Sequence, residues 1–204
     1  MTEQNKVAGI VLAGGMARRM DNQDKGLIEF AGRPLVDYAR DRLQSVANQI
    51  GISANRNLDQ YQNWGFAVIK DTSDTFAGPL AGVYAALEYF DADVLVVMPC
   101  DSPLFSEEHL QRLIDGLSDQ IDIVIASDGQ NVHPVFMVLK TQLKASLENY
   151  LSNQGRRVQD WVMQQSWGVV EFNDAINIFA NINTVEELRE LESRVSKDRP
   201  GLSF

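Results

Sequence analysis

A single cysteine in 204 residues, Cys100, has nothing to pair with, so an internal disulfide and a cysteine-rich metal site are both excluded. Cys100 itself reads either as a small buried residue beside a strand end or as a reactive thiol. No apolar run approaches the roughly 18 residues of a membrane span. The stretch Met1 to Lys6 lacks the basic and apolar regions of a secretory leader, so a cytoplasmic protein with no membrane partner is expected. Positive charge is scarce: 18 Lys and Arg against 28 Asp and Glu give a net charge of −10. Such a surface repels polyanions, so no nucleic-acid partner is expected and any anion must be caught locally. The commoner glycine loops are missing as well. Gly9, Gly14 and Gly15 complete neither Gly-x-x-x-x-Gly-Lys-Ser/Thr nor Gly-x-Gly-x-x-Gly.

The hydrophobic share, 45%, is ordinary for a globular chain, and the length suits one domain over residues 1–204. Strand patterns fall at Val7–Leu12, Gln49–Ser53, Phe66–Ile69, Val94–Met98, Ile121–Ala126, Pro134–Leu139 and Val169–Phe172. Helical patterns fall at Pro34–Val46, Leu80–Phe90, Glu107–Gly116, Thr141–Leu151, Val158–Gln165 and Thr184–Val195. The two alternate. Continuously apolar strands such as Val94 to Met98 suit parallel strands covered on both faces, which predicts an α/β fold: a three-layer, Rossmann-like architecture with a mostly parallel central sheet.

In such sheets ligands sit beyond the carboxyl ends of the strands. After the first strand come Ala13-Gly14-Gly15-Met16-Ala17-Arg18-Arg19-Met20 and then Asp24-Lys25-Gly26. Paired glycines let backbone N–H groups turn toward one anion, and Arg19 and Lys25 supply more positive charge than one phosphate needs, so a nucleoside triphosphate fits. A plain tight turn would account for Gly14-Gly15 but not for the cations. The second strand ends in Ser53-Ala54-Asn55-Arg56, the third in Lys70-Asp71 and the fourth in Pro99-Cys100-Asp101-Ser102-Pro103. Asp101, carried on stiff backbone between two prolines, is placed as a hard oxygen ligand for Mg²⁺. It could also start a helix, although Ser106 before Glu107 and Glu108 is the better cap. By position, Asp71 is equally a loop-capping carboxylate or a nucleotide or metal contact.

Leu12-Ala13-Gly14-Gly15, the following Arg19-Met20 and Asp24-Lys25-Gly26-Leu27 together resemble the signature of nucleotidyltransferases, and among them the molybdenum cofactor guanylyltransferases. Further landmarks of that family are matched by Gly78-Pro79-Leu80-Ala81-Gly82, the Asp101 segment, His133-Pro134, Gly155-Arg156-Arg157 and Asn181 to Leu188, so the resemblance spans residues 7 to about 192. It implies a nucleotidyltransferase fold whose residues 1–100 mainly bind GTP and whose residues 101–195 mainly bind a pterin, with 196–204 as a tail. It also implies transfer of GMP from GTP to the terminal phosphate of molybdopterin, or of molybdenum-bearing molybdopterin, with transient contacts to other cofactor-biosynthesis proteins and acceptor enzymes.

Carried onto this chain, the resemblance assigns GTP to Leu12, Ala13, Gly14, Gly15, Lys25, Ser53, Asp71 and Asp101, the metal to Asp101, and catalysis to Arg19, Lys25 and Asp101. It assigns the pterin to Gly78, Pro79, Leu80, His133, Arg156, Arg157, Asn181 and Asn183. Arginines would take the pterin phosphate and amides the heterocycle edges. Two departures stand out: Asp21-Asn22 where the family has glycine, and Ser53 where asparagine is common on the guanine side. Same-chemistry alternatives are a molybdopterin cytidylyltransferase and a sugar-phosphate nucleotidylyltransferase; a different class is a nucleotide-binding accessory protein without catalysis. Thr184 and Glu187 stand at capping-box spacing for the last helix.

Overall fold

The strand β8 (Val94–Pro99) explains the layering, because every side chain from Val94 to Met98 is buried. Leu95 and Val97 face one apolar cluster, while Val94, Val96 and Met98 face another, as the two-residue period of a strand requires. The computed structural model describes residues 5–14, 16–17, 23–63, 65, 67–71, 78–173 and 178–198. In chain order the strands are β1 (Val7–Leu12), β2 (Met16–Ala17), β3 (Gln23–Asp24), β4 (Glu29–Phe30), β5 (Arg33–Pro34), β6 (Gln49–Ser53), β7 (Ala67–Ile69), β8, β9 (Ile123–Ser127), β10 (Val132–Lys140) and β11 (Trp167–Glu171). The helices are α1 (Leu35–Gln44), α2 (Leu58–Gln62), α3 (Pro79–Tyr89), α4 (Glu107–Asp115), α5 (Lys144–Ser152), α6 (Val158–Val162) and α7 (Val185–Asp198).

Seven strands form the central sheet in the order β11-β9-β10-β8-β1-β6-β7, and β2-β3 and β4-β5 are small separate pairs. Within the sheet β8, β1, β6 and β7 pair in parallel, as do β11 and β9. β10 runs antiparallel to both its neighbours. Its direction follows from the short turn Asp128 to Asn131, which can only join a hairpin; Asp128 Oδ1 accepts from Gln130 N at 2.9 Å and Asn131 N at 2.7 Å. Helices α3, α5 and α6 cover one face through Leu80, Leu147 and Trp161; α1, α2 and α4 cover the other through Leu43, Tyr61 and Leu110. Fully burying each such side chain stabilises the fold by about 1.5–3 kcal/mol. A third, smaller cluster packs Leu191 of α7 and Ile182 against Leu35 and Tyr38 of α1.

The expected elements are present with altered ends. The helix expected over Thr141–Leu151 divides into a 3-10 turn, Thr141–Leu143, and α5, while that expected over Val158–Gln165 ends at Val162. β9 starts at Ile123 because Ile121 instead bridges to Ser118 across a turn. Of the strand expected over Phe66–Ile69, Phe66 lies outside the described residues. The short elements carried no periodic signal: the two-residue strands β2 to β5, the five-residue α2 and a 3-10 helix at Lys25–Leu27.

Candidate active site

Parallel pairing brings the ends of β8, β1, β6 and β7 side by side along one sheet edge. The backbone there is already tied across strands: Ala13 N donates to Ser53 O at 3.0 Å, Ala54 N to Ile69 O at 3.1 Å and Cys100 N to Leu12 O at 3.2 Å. The N–H of Ala13 is therefore spent within the sheet. An anion cradle must begin at Gly14, which is exposed. Gly15 and Arg19, like Arg18, Asp21 and Asn22, lie outside the described residues.

Lys25 opens the 3-10 helix and reaches across the edge, its Nζ donating to Asp101 Oδ2 at 2.8 Å and to Asn183 Oδ1 at 2.5 Å. Its side chain is 16% exposed and that of Asp101 12%. This contact joins the chain's first, middle and last thirds. The segment Asn181 to Asn183 is laced to the end of β8 by two further bonds: Ile182 N donates to Asp101 O at 3.0 Å and Ser102 Oγ to Asn181 Oδ1 at 2.5 Å. The expected capping box follows, with Glu187 N donating to Thr184 Oγ1 at 3.1 Å and Glu187 Oε2 accepting from Thr184 N at 3.1 Å. Asn183, assigned by resemblance to the pterin, therefore sits against Lys25, a residue assigned to GTP.

On the far side, Asp71 is clamped by Asn55, whose Nδ2 donates to Asp71 Oδ2 at 2.8 Å while Asp71 N donates to Asn55 Oδ1 at 3.1 Å. Ser53 is only 6% exposed, and its hydroxyl faces α3: a Cβ added to Gly82 would lie 2.3 Å from Ser53 Oγ. Close strand-to-helix packing thus uses the Ser53 side chain, which the resemblance assigned to GTP. Asn55 and Arg56 instead line an open cavity of about 480 Å³ with residues 57–60.

The remaining assigned residues differ in what they can offer. Leu80 is wholly buried in the core and offers no surface to a ligand, whereas Gly78 and Pro79 before it are exposed at the start of α3. The antiparallel course of β10 brings His133 to the same sheet edge, where its ring stacks on Phe179 at 3.9 Å and its Nε2 lies 2.9 Å from Asp128 Oδ2. The N–H of Asn131, the His133 contact and the N–H of Gln130 hold the Asp128 carboxyl well below the usual carboxylate range. Arg156 Nη1 donates to Leu151 O at 2.8 Å and Gly155 O at 2.6 Å, closing the end of α5. Arg157, at the N-cap of α6, is exposed. Cys100 is buried, and burial, with the nearby Asp101 and Asp24 charges, pushes its thiol well above the ordinary range, which leaves it protonated packing material.

Residues that the spacing did not single out complete the site. Tyr61 Oη donates to Asp24 Oδ1 at 2.5 Å and Asn57 Nδ2 to Asp24 Oδ2 at 3.2 Å. Both donors belong to α2 and its entry, whose single Leu58/Tyr61 spacing is too short to register as a helical period.

A family model for a MobA-like NTP transferase domain matches residues 9–166. The chain is 39% identical over 200 residues to the molybdenum cofactor guanylyltransferase of Shewanella halifaxensis, covering 98% of this chain and 99% of that one. It is 40% identical over 185 residues to the enzyme of the same name from Shewanella putrefaciens, covering 90% and 95%. Among solved structures, molybdopterin-guanine dinucleotide biosynthesis protein A of Archaeoglobus fulgidus superposes with a TM-score of 0.77 at 22% identity, over 93% of this chain and 99% of that one. A nucleotidyl transferase from Methanothermobacter shares the fold at a TM-score of 0.77 and 15% identity, over 96% and 100%. With its sheet order, its carboxyl-edge site and these relatives, the chain belongs to the MobA-like NTP transferases, in the family of the molybdenum cofactor guanylyltransferases.

Proposed function

We propose that the protein transfers GMP from GTP to the terminal phosphate of molybdopterin, forming molybdopterin guanine dinucleotide and pyrophosphate. The observation that carries this reading is the Lys25 ammonium held between Asp101 and Asn183 at the strand edge where a nucleotide would lie. A phosphate oxygen of the pterin attacks the α-phosphorus of GTP, a new P–O bond forms, and the bond to the β-phosphate breaks with its electrons on pyrophosphate. Both reactants are anions, so the protein's task is positioning and offsetting charge, with no covalent enzyme intermediate. Lys25 supplies a positive charge from a fixed base, and Arg19 is proposed as a second cation. The amides from Gly14 onward receive phosphate oxygens. Asn183, touching Lys25, aligns the cation between the two substrates, and the exposed Arg157 is available to the pterin phosphate.

The donor set also fits Mg²⁺. Asp101 presents a hard, anionic oxygen, Asp71 lies at a nearby strand end, and this metal is normally held by one or two carboxylates together with substrate phosphates. Among the described residues no three His, Cys, Asp or Glu side chains cluster, so the ion would share Asp101 with the triphosphate. When bound it would draw charge from the phosphates. We place the reaction in the cytoplasm, where GTP is available, with product passing to acceptor enzymes through transient contacts. Separately, among the described residues no helix is long and apolar enough to cross a membrane.

The test is incubation with Mg²⁺, molybdopterin and GTP, CTP, ATP or UTP in turn, with pyrophosphate and dinucleotide measured. GTP should give the dinucleotide at the highest rate. Preference for CTP would make the protein a cytidylyltransferase, and no dinucleotide with any nucleotide would end the reading.

A further inference from the structure

We infer that Tyr61 is a positioning residue for Lys25, acting through Asp24; the inference rests on the proposed role of Lys25 toward GTP. Lys25 is the first residue of a single 3-10 turn, an element too short to hold itself, and ordering a lysine side chain costs rotamer freedom. Something must hold the base of that side chain. Asp24 does so from the N-cap, where Oδ1 accepts from Gly26 N at 3.2 Å. Asp24 is in turn gripped by the 2.5 Å bond from Tyr61 Oη and the 3.2 Å bond from Asn57 Nδ2.

The Tyr61 side chain is completely buried, and burial followed by the Asp24 contact pushes its hydroxyl far above the ordinary tyrosine range, so it remains a proton donor. Phenylalanine would fill the same core space. The hydroxyl adds the grip on Asp24. Close approach is enforced from the other side too, since a Cβ on Gly26 would lie 2.4 Å from Tyr61 Oη. A rigid chain of contacts therefore runs from α2, packed beside the site, through Tyr61 and Asp24 to the backbone that aims Lys25 at Asp101 and Asn183.

The experiment is a double-mutant cycle read by calorimetric binding of GTP with Mg²⁺, at a temperature where thermal melts show each variant fully folded. Tyr61→Phe should weaken GTP binding about tenfold in the otherwise unaltered protein, the scale of one lost hydrogen bond to a charged group. In the Lys25→Ala background the same substitution should change affinity less than about twofold, because the group it positions is gone. A merely structural tyrosine would produce equal fold-losses in both backgrounds, and that result overturns the inference, as does undiminished binding by Tyr61→Phe. If Tyr61→Phe does not fold, Asp24→Ala takes its place, because it removes the oxygen that Tyr61 Oη grips. Its loss should likewise vanish without Lys25, and equal loss in both backgrounds overturns the inference. Lys25→Ala binding GTP as tightly as the parent is a separate outcome that refutes the role of Lys25 itself.

Discussion

Replacing Lys25 by alanine should destabilise the folded protein as well as weaken its handling of GTP. The ammonium lies 2.8 Å from Asp101 Oδ2, and the two side chains are 16% and 12% exposed. Removing one member of a fully buried pair costs about 3–5 kcal/mol, mostly because the remaining charge loses its partner. Here both groups keep some contact with solvent, which lowers the expected loss to about 2–3 kcal/mol. In a domain of this size each kcal/mol moves the melting temperature by about 2–4 °C, so a fall of about 4–12 °C should follow. Asp101→Asn retains an oxygen for Lys25 and should cost less, about 1–2 kcal/mol, while losing most turnover and its Mg²⁺ dependence. The assay is urea unfolding of Lys25→Ala, Asp101→Ala and Lys25→Ala/Asp101→Ala, with midpoint and slope both fitted. The double variant should be more stable than the sum of its single losses by at least about 1 kcal/mol. Additive losses, or an unchanged midpoint for Lys25→Ala, would refute the view that these charges support each other in the folded state.

Gly82→Ala should cost about 1–3 kcal/mol because its methyl meets Ser53 Oγ, and adding Ser53→Ala should recover part of that loss in urea unfolding. The Asp128 carboxyl is lower in the folded state than in the unfolded chain, so its contribution to stability is present above about pH 4 and is lost as pH falls toward the folded value. Unfolding curves of Asp128→Asn and the parent should accordingly differ at pH 6 and converge in strong acid; a constant gap would exclude titration as the cause. Arg157→Ala should weaken molybdopterin binding with no change in melting temperature, whereas Arg156→Ala should lower the melting temperature by removing its bonds to Leu151 O and Gly155 O. The reverse pattern would exchange the two roles.

The architecture was legible wherever burial and periodicity coincide. Val94 to Met98 is apolar without a break because both its faces are covered, and the same logic identifies β1 and β9. The reversal of β10 was not read from the sequence, although Asp128-Gly129 between two apolar runs is a hairpin signal at the join. At the site, Lys25 and Asp101 could be picked out because each follows or faces a strand end. Their direct contact, across 76 positions, could not be read from spacing. The Tyr61 to Asp24 grip was illegible for a related reason: α2 is one turn and a half of chain with a single apolar pair, and its importance comes from what it touches. Ser53 shows the converse. The resemblance assigned it to the guanine side, but the closeness of Gly82 makes its side chain part of the strand-to-helix packing.

The lacing of Asn181 to Asn183 onto the end of β8 bears on the order in which the protein is made. A ribosome emits Lys25 and Asp101 long before the segment that joins them, and that segment is anchored by Ile182 and Leu191 packing on α1. A nascent or truncated chain ending before residue 181 can still contain every strand of the central sheet, yet it lacks the Asn183 contact to Lys25 and leaves the Asp101 carbonyl without its Ile182 partner. The contacts that tie Lys25 and the end of β8 together thus wait until the last helix has docked, so an unfinished chain has the strand edge but not the assembled constellation on it.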